Sequence, residues 1–79
     1  MSMRILIADD HPTVIAGIKS MLLLSSLEVI GSAPSGQIAL DCVEKDHPDV
    51  VLLDVRMPGF DGIETLQILR EQYPATMVV

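Results

Sequence analysis

Seventy-nine residues, 49% hydrophobic but only 3% aromatic, set the bounds of one small domain with an aliphatic core. Five Lys and Arg against eleven Asp and Glu leave a formal charge of −6, which excludes a segment that tracks a nucleic-acid backbone. The single Cys42 cannot close an intramolecular disulfide, no run nears the roughly 20 apolar residues a bilayer requires, and no signal-peptide pattern occurs, so a soluble cytoplasmic protein is expected.

Arg4-Ile5-Leu6-Ile7-Ala8 is an apolar run closed by Asp9-Asp10 and reads as a buried parallel strand. His11-Pro12-Thr13 breaks it, and Val14, Ile18, Met21 and Leu22 recur at helical spacing, predicting a helix from Pro12 to Leu24. Leu27 to Gly31 is a short β-rich run. Pro34-Ser35-Gly36 supplies a turn and a cap for a second helix, traced by Ile38, Ala39, Cys42 and Val43 and ending near Lys45. Asp49 to Asp54 is a third strand, and beyond Met57-Pro58-Gly59-Phe60-Asp61-Gly62 the residues Ile63, Leu66 and Leu69 trace a third helix that Tyr73-Pro74 ends. Thr76 to Val79 starts a fourth strand. Cys42 and the methionines are expected in the core, apart from Met77 if its face is left bare, with His11 as a cap or loop residue and His47 as part of a turn.

The order βαβαβαβ predicts an α/β domain, with right-handed crossovers and a parallel sheet between helices. Pairing the first strand with the third gathers Asp9, Asp10 and Asp54 at one sheet edge, where open α/β sheets bind ligands. Three carboxylates packed a few ångströms apart repel, so they must protonate or take up a cation. All-oxygen donors suit hard Mg²⁺ better than a soft metal, and the chemistry expected of such a site is phosphoryl chemistry. An N-cap role accounts for Asp9 or Asp10 alone, but not for Asp54 with Met57-Pro58. A HAD-type phosphatase would need an acid where Arg56 stands, and a dinucleotide site would need a glycine-rich turn after the first strand.

These residues resemble the receiver domain of bacterial two-component response regulators, in its LuxR/NarL-type branch. The resemblance rests on Ile7-Ala8-Asp9-Asp10-His11-Pro12, on Val51-Leu52-Leu53-Asp54-Val55-Arg56-Met57-Pro58 and on Gly59-Phe60-Asp61-Gly62, and it covers Met3 to Val79. It implies a three-layer flavodoxin-like (CheY-like) fold in which Asp54 accepts a phosphoryl group from a sensor histidine kinase or a small phosphodonor. It also implies Mg²⁺ held by Asp10, Asp54 and the Arg56 backbone carbonyl, with Asp9 acting through water. The expected role is phosphoacceptor rather than enzyme, regulating a DNA-binding output domain that this segment does not contain.

The family pattern has five βα units, with a Ser or Thr ending the fourth strand and a Lys ending the fifth. Residues 1–79 are therefore expected to form the N-terminal part of a receiver domain, with the last helices and fifth strand missing. Thr76 starts the fourth strand and is rejected as the missing hydroxyl. Each charge-assisted contact is worth roughly 1.5–3 kcal/mol, so their loss should weaken phosphoryl transfer and switching while sparing metal binding. An unpaired strand edge and a bare sheet face also predict a homodimer, and, as an alternative function, a self-associating structural unit without phosphotransfer.

Overall fold

The computed structural model describes residues 3–23, 25–54 and 62–79. Its elements run β1 (Met3–Ala8), α1 (Pro12–Leu22), β2 (Leu27–Ala33), α2 (Gly36–Asp46), β3 (Val50–Leu53), α3 (Gly62–Gln72) and β4 (Met77–Val78). All strand pairs are parallel and the sheet order is β2-β1-β3-β4, so the first and third strands are neighbours as the sequence predicts.

Strand alternation sorts the core into two layers. Leu6, Ala8 and Val51 point to one face and pack with Ala39 and Val43 of α2 and Leu69 of α3. Ile5, Ile7 and Val50 point to the other, where Ile15, Ile18 and Leu22 of α1 cover them. The result is a three-layer α/β sandwich of the flavodoxin-like type.

β2 runs two residues past its predicted end because a bulge intervenes. Ile5 pairs with Val29 but Leu6 pairs with Gly31, leaving Ile30 as the extra residue. The skipped residue reverses the side-chain parity of the strand. Leu27 and Val29 therefore join the α1-side core while Ala33 joins the opposite one, beside Ala8.

The helices start and stop for local reasons. Pro12 occupies the first turn of α1, where its missing N–H costs nothing. Ser35 caps α2, its hydroxyl accepting from the Ile38 N–H at 3.3 Å. His47 ends α2 in the left-handed region at φ 48°, its N–H donating to the Val43 carbonyl at 3.0 Å. At this same end of the sheet Arg4 ties β1 to the loop: its guanidinium donates to the carbonyls of Asp46 at 2.7 Å and His47 at 3.1 Å.

Several apolar side chains lie elsewhere than expected. Met3 and Met21 are 44% and 81% exposed rather than buried, while Met77 is 60% exposed, as expected of a face left bare: α1 is the one described helix on that face and covers only part of it. α1 ends at Leu22, two residues early, and Leu23 is exposed. Cys42 is half-buried against the α2-side core. No helix among the described residues is long and apolar enough to cross a membrane.

Candidate functional site: an acidic sheet edge

Sheet register delivers the acids. Ala8 pairs with Leu53 on one side and Ala33 on the other. The next residues extend the ladder: Asp54 N–H donates to the Ala8 carbonyl and Asp9 N–H to the Ala33 carbonyl, both at 2.9 Å. Asp9 and Asp54 thus leave adjacent strands at the same edge, and Asp10 follows one residue later. Their side chains are 14%, 15% and 26% exposed for Asp9, Asp54 and Asp10. A hollow of about 270 Å³ lies beside Asp9 and Asp54, walled by Ile7, Ile18, Leu52, Leu53 and Val79. That wall sets apolar side chains along one side of the carboxylates, which lowers the local dielectric and strengthens their fields.

The fourth member of the cluster is His11. Its N–H donates to Asp9 Oδ1 at 2.8 Å, closing a turn over the strand end. The same turn lays Nδ1 2.7 Å from Asp9 Oδ1, 3.0 Å from Asp10 Oδ1 and 3.7 Å from Asp54 Oδ2. Its pKa is raised above 6.5, first by the hydrogen bond with Asp9 and then by the charge of Asp10. His11 does hold the N-cap position of α1, as read from the sequence, but its side chain makes no capping bond. The signal that could have exposed its other role was adjacency: the residue after two acids at a strand end turns back over them.

One atom stands out. Asp10 Oδ1 is buried and accepts no hydrogen bond, its 3.0 Å approach to His11 Nδ1 lacking the geometry of one. A buried anionic oxygen without a donor is costly unless a cation completes it. One ligand atom from each of Asp9, Asp10, His11 and Asp54 can be chosen so that all four lie within 4.8 Å of one another. Hard oxygens converging on one point, one of them buried without a partner, fit a small divalent cation. Arg56, whose carbonyl the resemblance assigns to the metal, lies outside the described residues. Thr76 stands at the opposite end of the sheet, its hydroxyl donating to the Pro48 carbonyl at 3.5 Å, which excludes it from this edge.

An open parallel sheet with an acidic carboxyl-end edge defines a ligand-binding α/β domain, and comparison with known proteins identifies its family. The family model of the response regulator receiver domain matches residues 5–79. The chain belongs to that family. It is 47% identical over 77 residues to a protein-glutamate methylesterase/protein-glutamine glutaminase of Trichodesmium erythraeum, covering 96% of this chain and 22% of that protein. It is 41% identical over 69 residues to the nitrate/nitrite response regulator protein NarL of Escherichia coli, covering 86% of this chain and 32% of that protein. The RcsB response regulator of Salmonella typhimurium superposes with a TM-score of 0.89 at 28% identity, over 98% of this chain and 40% of that one. The likenesses to NarL and RcsB place the chain in the LuxR/NarL branch of receiver domains. It spans well under half the length of each of these relatives, and the methylesterase is a different, multi-domain protein.

Proposed function

We propose that this chain is a Mg²⁺-dependent phosphoacceptor in two-component signalling, taking a phosphoryl group on Asp54 from a sensor histidine kinase or a small phosphodonor. The observation that carries this reading is the convergence of Asp9, Asp10 and Asp54, with one Asp10 oxygen buried and unbonded. Asp10, Asp54 and the Arg56 carbonyl would hold the ion directly, and Asp9 through water. Residues 1–79 then act as part of a cytoplasmic receiver that governs a DNA-binding output domain, and not as an enzyme in their own right.

Asp54 is fixed at the end of β3 by its N–H bond to Ala8, so its carboxylate is presented at the edge without a search for geometry. One Asp54 oxygen forms the bond to phosphorus as the bond to the donor's leaving group breaks, and the electron pair departs with that group. Bound Mg²⁺ supplies charge neutralisation for the attacking carboxylate and the transferred oxygens. Asp10 would hold the ion directly and Asp9 through water, while apolar side chains line one side of Asp54.

The test is incubation with acetyl phosphate and Mg²⁺, followed by intact mass and peptide mapping. One phosphoryl adduct on Asp54 is expected, lost in EDTA and in Asp54→Ala. An adduct indifferent to EDTA, or mapped to another residue, overturns the proposal.

A second, compatible reading is self-association, in which the chain serves as a homodimeric structural unit. It is supported by an apolar groove of about 400 Å³ on the α1 face, lined by Met3, Ile5, Met21, Leu22, Leu27 and Leu52 among others. β4 is also an edge strand of the sheet. RcsB is described as dimers bound to DNA. A monomeric mass by sedimentation, at concentrations where the amide spectrum is well dispersed, counts against it.

A further inference from the structure

Building on the proposed cation site, we infer that His11 Nδ1 is a ligand of the bound ion and that this nitrogen makes the site favour late first-row divalent cations, such as Ni²⁺ or Zn²⁺, over Mg²⁺. A receiver site made of oxygens alone has no such preference beyond the general affinity order.

The first argument is spacing. Around an octahedral ion with bonds of about 2.1 Å, neighbouring ligand atoms stand about 3.0 Å apart and opposite ones about 4.2 Å. His11 Nδ1 lies 2.7 Å from Asp9 Oδ1, 3.0 Å from Asp10 Oδ1 and 3.7 Å from Asp54 Oδ2. The Asp10 separation is that of neighbouring ligands on one ion, the Asp54 separation is reached with an adjustment of about 0.5–0.7 Å, and the hydrogen bond between Nδ1 and Asp9 gives way when the ion binds. Asp10 Oδ1, which already lacks a hydrogen bond, is among the three oxygens.

The second argument is restraint. The His11 N–H bond to Asp9 Oδ1 and the ring of Pro12 fix the backbone on both sides of the imidazole. The His11 side chain is 59% exposed, so Nε2 can carry the remaining proton toward solvent while Nδ1 binds metal. Imidazole suits Ni²⁺ and Zn²⁺, whereas Mg²⁺ prefers oxygen and keeps several waters.

The rival role is that of a counter-cation, with the ring lying against the carboxylates and expelled by any ion. The two roles predict different ratios. Ni²⁺ and Mg²⁺ are titrated calorimetrically into the wild-type chain, His11→Ala and His11→Gln, in a background of His47→Ala and Cys42→Ser to remove the other soft donors. A nitrogen ligand predicts Ni²⁺ affinity falling by roughly 10-fold or more, the cost of losing even an outer partner at a metal site, with Mg²⁺ affinity unchanged or improved. In the otherwise native chain, ¹⁵N spectra should show the His11 Nδ1 resonance moving with one equivalent of Zn²⁺. Equal changes for both ions, or an unmoved Nδ1 resonance, overturn the inference while leaving the Mg²⁺ site standing. Failure of every ion to bind overturns both.

Discussion

Replacing Asp10 with Asn should stabilise the cation-free protein, the reverse of what most substitutions do. The Asp10 side chain shares the edge with the Asp9 and Asp54 carboxylates, in a group of ligand atoms that all lie within 4.8 Å. At that outer distance two unit charges repel by about 3–4 kcal/mol at an effective dielectric constant of roughly 20. The buried Oδ1 adds a desolvation cost of about 1–3 kcal/mol because nothing donates to it. Water at the open edge and the imidazole of His11 offset part of both, so a net gain of about 1–3 kcal/mol is expected, larger at a pH high enough to neutralise the ring. For a domain of this size each kcal/mol moves Tm by about 4–8 °C. Mg²⁺ then works in the opposite direction: at one hundred times its Kd it adds about 2.7 kcal/mol to the wild type and much less to the variant. Urea unfolding followed by circular dichroism, in EDTA and in Mg²⁺, measures both effects. A variant less stable than wild type in EDTA, or equal stabilisation of the two proteins by Mg²⁺, would refute the reasoning.

Other consequences are open to the same instruments. Leu6 is 1% exposed beneath α2 and α3, so Leu6→Ala should cost about 2–5 kcal/mol in chemical denaturation. Ser35→Ala should cost about 0.5–2 kcal/mol and speed amide exchange in the first turn of α2, the Ile38 amide above all. His47→Gly should be neutral or stabilising by up to about 1 kcal/mol, since φ 48° strains a side chain and the carbonyl that Arg4 grips is retained. His11 should titrate above 6.5 by NMR and fall back toward that value in Asp9→Asn. Because its folded pKa is raised, its stabilising effect is complete below the unfolded value of 6.5 and fades as pH rises through the folded pKa.

The convergence of the acids was legible in the sequence because it depends on little more than strand order. Two apolar runs that both end in Asp, joined by helical crossovers, place their carboxylates together once the runs are neighbours in a parallel sheet. The extent of β2 was not legible, since a bulge at Ile30 interrupts the alternation by which a strand is recognised. The exposure of Met3 and Met21 escaped for another reason: periodicity shows which side of an element is apolar, but not whether anything covers it. His11 was read by its place in the chain, at a helix start. Its side-chain direction decides the matter, and a one-residue pattern does not encode it.

The most direct test of the account is Mg²⁺ titration followed by amide NMR, on the wild type, Asp10→Asn and Asp54→Ala. Shifts confined to residues 8–11 and 53–58, saturating at millimolar Mg²⁺ and lost in both variants, are predicted. No shifts at millimolar Mg²⁺, or shifts unchanged after Asp54→Ala, would contradict the assignment of this edge as a cation-dependent phosphoacceptor site.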